Sequence, residues 1–140
     1  MAETKREKYA FESAGDCMGN LVPAGTVLVC EPGEEISPRD LVMLVFDVSK
    51  PGVWTEFGTK IAAEGHDGIA KIFLGVYQVD GETYGSFGQL NPPGVLPIPM
   101  SALLSVDRVA FQGEPTGRDR EAMAMLEPFI MANVEQKEAA

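Results

Sequence analysis

Between Asp16 and Phe111 the chain breaks into short apolar runs separated by Gly, Pro, Asp and Asn. Thr26–Cys30 (TVLVC), Leu41–Phe46 (LVMLVF), Ile69–Tyr77 (IAKIFLGVY) and Val106–Phe111 (VDRVAF) are rich in β-branched and aromatic residues, and each predicts a strand. Pro23-Ala24-Gly25, Glu31-Pro32-Gly33, Val79-Asp80-Gly81 and Asn91-Pro92-Pro93-Gly94 predict the turns between strands, with Asp80-Gly81 the best hairpin signal. Many short strands joined by tight turns imply a mainly β fold, a sheet folded on itself. Upstream, residues 1–14 alternate charges with Tyr9 and Phe11, the pattern of an arm that extends along a surface or adds a strand.

From about Gly117 to Gln136 the period changes. Ala122, Met125, Leu126, Phe129, Ile130, Asn133 and Val134 fall on one helical stripe, which predicts a C-terminal helical segment lying on the sheet. Pro128 lies inside it, so two short helical pieces or a kink are expected. The organisation is therefore an arm over 1–14, a β domain over 15–112 and a helical extension over 113–140. Neither an internal repeat nor a low-complexity tract interrupts it.

Composition narrows the function classes. A chain of 140 residues, 45% of them hydrophobic, is long enough to bury a core as one domain without metal or disulfide support. No apolar run approaches the roughly 18 residues of a membrane span. The opening stretch MAETKREKYAFES is charged and lacks the apolar core of a signal peptide, so a cytoplasmic location is expected. In a reducing compartment the two cysteines, Cys17 and Cys30, are expected as free thiols. A formal net charge of −10 with no local basic patch disfavours direct binding to nucleic acid.

Few residues are left to carry chemistry. The single histidine, His66, sits in a turn-like Glu64-Gly65-His66-Asp67-Gly68, and no Cys-x-x-Cys or His-Glu-x-x-His spacing exists, so no metal is expected. Neither Gly-x-Gly-x-x-Gly nor the phosphate-cradling Gly-x-x-x-x-Gly-Lys pattern occurs, and no cofactor is expected. What remains is a thiol in a polar turn, Cys17, and a lysine within an apolar strand, Lys71. Strand alternation places Lys71 on the face of Ile69 and Phe73. If that face is interior, desolvation makes the lysine a base near neutral pH; if β-edge and solvent-facing, the same lysine serves to block edge pairing. Cys17 is likewise either a nucleophile or a small apolar filler, while Cys30, inside a strand beside Leu28 and Val29, reads as structural.

The order of these features resembles the LexA-like self-cleaving proteins: the C-terminal domains of LexA and phage repressors, the UmuD mutagenesis proteins and, more distantly, type I signal peptidases. Gly15-Asp16-Cys17-Met18 stands for the family's Gly-Asp-Ser-Met, Pro23-Ala24-Gly25-Thr26-Val27-Leu28-Val29 for its turn into a Val-rich strand, and Arg39-Asp40-Leu41-Val42-Met43 for the next such turn. Ala70-Lys71-Ile72-Phe73-Leu74 matches the strand bearing the base, Leu90-Asn91-Pro92-Pro93 the Asn-Pro turn, and Val106-Asp107-Arg108-Val109-Ala110 the closing strand.

The resemblance implies a compact, mainly β fold of curled antiparallel sheets of the LexA C-terminal-domain type and peptide-bond cleavage without metal, with Cys17 in the place of the nucleophilic serine and Lys71 as the base that takes its proton. It implies an oxyanion hole made by backbone N–H groups around Cys17, with Asp16 and Met18 assigned to the substrate-binding or oxyanion part of the site. It also implies a homodimer and a peptide or protein segment as partner. This chain departs from the family in its cysteine, in a longer segment before the lysine strand that makes Lys60 a rival base, and in its upstream Ala-Gly. That pair, Ala14–Gly15, lies two residues before Cys17, too near to fold back into its own site. Two readings follow: a Cys/Lys peptidase acting on other chains, or a catalytically inactive regulatory, dimerisation or peptide-binding module on the same fold, using strand addition.

Overall fold

Leu41–Phe46 is buried at every one of its six positions, which a strand achieves only when both faces of its sheet are covered. The computed structural model describes residues 7–12, 18–23, 25–47, 68–110 and 113–139. Within these residues the strands are β1 (Tyr9–Glu12), β2 (Val27–Glu31), β3 (Leu41–Phe46), β4 (Gly68–Val79), β5 (Glu82–Leu90), β6 (Pro93–Pro99) and β7 (Leu103–Val109), followed by helix α1 (Gly117–Ala139). Gly19–Leu21 and Met100–Ala102 form short 3-10 turns.

All seven strands join one antiparallel sheet in the order β1-β2-β7-β3-β4-β5-β6. The fold is mainly β, as the turn-punctuated pattern predicts, and the arm residues Tyr9–Glu12 add a strand, Tyr9 opposite Cys30 and Glu12 opposite Val27. β7 returns from the end of the sheet's chain path to lie between β2 and β3. The Asp80-Gly81 hairpin forms with Val79 opposite Glu82; Asp80 at φ 51° and Gly81 at φ 82° supply the two left-handed positions that such a tight turn needs.

Strand β4 binds the layers together. Its first half pairs with β3 and its second with β5, and between Phe73 and Gly75 the register slips at a bulge. A bulge bends its strand and increases local twist, so a single 12-residue strand serves two differently oriented neighbours.

The two faces of the sheet carry separate apolar layers. One gathers Leu28, Cys30, Leu41, Met43, Ile72 and Leu74 with Met18, Leu21 and the helix residues Ala122, Leu126 and Ile130. The other gathers Val42, Leu44, Phe46, Phe73, Phe87 and Ile98. Leu126 fits where β5 has no side chain: a Cβ on Gly88 would lie 2.6 Å from Leu126 Cδ1.

Helix α1 differs from its sequence reading in two respects. It continues through Pro128 as a single helix. Proline removes the N–H that would bond the carbonyl of Ala124, and both residues lie on the exposed side, where solvent can satisfy that carbonyl. The buried stripe is also narrower, because Ala122, Leu126 and Ile130 are covered while Met125 and Phe129 are exposed. No helix among the described residues is long and apolar enough to cross a membrane.

Candidate active site

Lys71 lies at the centre of the sheet. β4 has β3 on one side and β5 on the other, so an edge position is excluded, and the residue is only 2% exposed. Across the ladder it stands opposite Val42, itself fully buried, and alternation directs it to the layer of Ile69 and Phe73. The run is apolar because the strand is interior, and lysine tolerates the place because its four-methylene stem packs as a hydrophobe. Of the sequence alternatives for this residue, the interior one is what the fold contains.

The remaining candidates are distributed differently. Met18 is buried in the opposite layer, among Leu21, Val22 and the helix. Its side chain therefore packs the core on the face away from Lys71. Asp16 and Cys17 lie outside the described residues, as do Lys60, His66, Trp54 and the Ala14–Gly15 pair. Cys30 is a free, fully buried thiol.

The turn that follows Cys17 is held by the start of α1. Asp119, 5% exposed, accepts the Asn20 N–H at 3.0 Å and the Thr116 N–H at 2.9 Å on the same oxygen, Oδ2. The Asp119 N–H donates back to Thr116 Oγ1 at 3.1 Å, completing a capping box. Burial pushes this carboxyl up, but the donors from Thr116 and Asn20 outweigh it and leave it below the ordinary aspartate range. The Asn20 side-chain amide donates to the Glu114 carbonyl at 2.5 Å, and the Gly113 N–H donates to the Leu21 carbonyl at 2.9 Å. Gly19 adopts φ +58°, and any Cβ there would collide with the Asp119 carboxylate.

A second polar cluster lies beneath β1. Asp107, 3% exposed on β7, accepts the Tyr9 hydroxyl at 2.6 Å and the Ser105 hydroxyl at 3.1 Å. Cys30 is the ladder partner of Tyr9, and burial, reinforced by the Asp107 charge and opposed by a hydrogen bond with Tyr9, pushes its thiol up to about 11. Burial, the hydrogen bond to Asp107 and the neighbouring Cys30 raise the Tyr9 phenol far above its usual value. Such a thiol is a poor nucleophile at neutral pH.

Where β2, β3 and β7 reach the same end of the sheet, a cleft of about 380 Å³ opens between Arg39, Asp40, Arg108 and Glu31. Both guanidiniums are engaged. Arg108 donates to Glu31 at 3.0 Å and to Glu34 at 3.4 Å, and Arg39 forms a two-pronged pair with Glu127 of α1 at 2.6 and 2.8 Å. The hydrogen bonds from Arg108 hold the Glu31 carboxyl below its usual range, and Arg39 does the same for Glu127. Among the described residues no three thiol, carboxylate or imidazole groups converge to hold a metal ion.

Reading the sequence missed Asp119, Asn20, Tyr9 and Asp107 as site-forming residues. Thr116-Gly117-Arg118-Asp119 carries the capping-box spacing and was legible as a helix start. Nothing local announces that Asn20, 99 residues earlier, shares the same carboxylate oxygen. No protein-family model matches this chain, and neither a curated protein nor a solved structure is matched by it.

Proposed function

We propose that this chain is a LexA-like peptidase domain that hydrolyses a peptide bond of another chain, with Cys17 as nucleophile and Lys71 as its base. The observation that carries the reading is the burial of Lys71 in the middle of an apolar strand. Taking an amine out of water is costly. An interior lysine on the matching strand supports the role that the family resemblance gives to the base.

In this mechanism Lys71 takes the Cys17 proton, and the thiolate attacks the carbonyl carbon of the scissile bond. Backbone N–H groups beside Cys17 stabilise the oxyanion. As the tetrahedral species collapses, the C–N bond breaks and the Lys71 ammonium returns its proton to the departing amine. Water, deprotonated by Lys71, then adds to the thioester, and the carboxylic acid and the Cys17 thiol are released.

The pairing of β1 onto β2 supports a second reading. In that ladder an extended segment is held by strand addition at a sheet edge, which supports an inactive peptide-binding or dimerisation module on the same fold. The two readings diverge in an assay on a library of internally quenched peptides. Cleavage lost in both Cys17→Ala and Lys71→Met supports the hydrolase. Peptides retained without cleavage by wild type and both variants support the module.

A further inference from the structure

We propose that β2 and β7 form a recognition groove for an extended segment of another chain that carries a tyrosine with a basic residue before it, and that β1 is the groove's resident occupant. This rests on the reading of the fold as a peptide-binding module and adds to it the chemistry of the segment that is bound.

β1 lies at the end of the sheet and pairs with β2 alone. Tyr9 stands opposite Cys30, and its hydroxyl reaches across β2 to β7, where it donates to Asp107 Oδ2 at 2.6 Å. The Ser105 hydroxyl donates to the same oxygen at 3.1 Å. One residue before the tyrosine, the Lys8 ammonium lies 3.4 Å from the largely buried Glu31 carboxylate. The position after it is not selective, because Ala10 and its ladder partner Val29 are both exposed. Two consecutive side chains of the occupant are thus read by polar groups that belong to β2 and β7, which lie far along the chain from each other.

An edge strand does not need this arrangement. Backbone pairing and an apolar ring would hold β1, whereas a carboxyl that is 3% exposed costs free energy unless it is hydrogen-bonded. Aimed at a hydroxyl, that carboxyl becomes selective: a buried acceptor placed for an O–H rejects the analogue that lacks it, because its own hydrogen bond is then lost. Glu31 adds a weaker preference, since the lysine it meets is solvent-exposed and the ion pair is screened. The ladder supplies affinity without regard to sequence, and Asp107 and Glu31 supply the sequence preference. Because β1 belongs to the same chain, it competes at the high effective concentration of a tethered segment. An outside peptide therefore enters once β1 is weakened.

The test is fluorescence anisotropy with the labelled hexapeptide EKYAFE, the sequence of residues 7–12, and with EKFAFE and EEYAFE, on the 140-residue chain as wild type and as Tyr9→Ala. Tyr9→Ala weakens β1 in its own groove and leaves Asp107, Ser105 and Glu31 in place. The expected result is that Tyr9→Ala binds EKYAFE about tenfold more tightly than wild type does, with EKFAFE about tenfold weaker and EEYAFE about threefold weaker than EKYAFE. Adding Asp107→Leu to Tyr9→Ala is expected to erase the difference between EKYAFE and EKFAFE. Should that protein fail to fold, the peptide pair decides, because it leaves the protein untouched. Equal affinity of wild type and Tyr9→Ala for EKYAFE overturns β1 as the occupant. Equal binding of EKYAFE and EKFAFE overturns recognition of the tyrosine and leaves the module reading in place. If none of the three binds while wild type retains peptides from the library, the groove is overturned and the module stands; if neither is seen, both fall.

Discussion

Lys71 faces Val42 across the β3–β4 ladder, and both side chains are buried. The stem of the lysine is therefore part of the apolar layer, whatever its amine does. Lys71→Met keeps the stem volume and is expected to retain the fold, with stability within about 1 kcal/mol of wild type. Lys71→Ala leaves a cavity between Val42 and Phe73 and is expected to be about 2 kcal/mol less stable than Lys71→Met. Urea denaturation of the two variants side by side checks this, and Lys71→Met is the cleaner variant for any chemical assay.

Removing one hydroxyl should loosen β1. Tyr9→Phe deletes the 2.6 Å bond to Asp107 and leaves a buried carboxylate with one fewer donor. A hydrogen bond to a charged group is worth about 2 kcal/mol, and β1 is a four-residue edge strand paired to β2 alone. Faster hydrogen exchange at Tyr9–Glu12 and faster alkylation of Cys30 than in wild type are the expected outcomes.

The same cluster gives the protein an alkaline limit. The Cys30 thiol is raised in the fold from 9.0 to about 11, so the folded state favours its neutral form. That contribution is complete below pH 9 and is lost as pH rises from 9 toward 11, at most about 3 kcal/mol. Tyr9, raised for related reasons, acts in the same direction. Thermal midpoints should fall across this window in wild type and fall less in Cys30→Ala.

Gly88 and Leu126 should show strong coupling. An alanine Cβ at Gly88 would meet Leu126 Cδ1 at 2.6 Å, so Gly88→Ala is expected to cost about 1 to 2 kcal/mol through overpacking. Leu126→Ala is expected to cost about 3 kcal/mol through the cavity it opens. In the double variant the new methyl enters that cavity, and the total cost is less than the sum of the two. A double-mutant cycle in urea checks the sign.

How much of this was legible beforehand depends on the range of the interaction involved. Leu41–Phe46, the Asp80-Gly81 hairpin and the onset of α1 near Gly117 follow from local pattern and turn chemistry, which act over a few residues. Two-sided burial of β3 and the interior place of Lys71 required knowing that β7 inserts beside β3 and that β5 covers β4, and those are long-range pairings. Alternation fixed the face of Lys71 relative to Ile69 and Phe73 but not whether that face was covered. The breadth of the α1 stripe was overread because Met125 and Phe129 share its period yet sit at its margin. Asp119 and Asp107 went unrecognised because each acts through a partner about a hundred residues away, Asn20 and Tyr9 respectively.

The central claim, that Lys71 activates Cys17, is tested most directly by the thiolate pKa of Cys17 read from alkylation rates against pH. The comparison needs the Cys30→Ser protein with and without Lys71→Met. A value well below the free-thiol value of about 8.5, returning to it when Lys71 is replaced, is the expected result. Equal, ordinary profiles in both proteins would contradict the account.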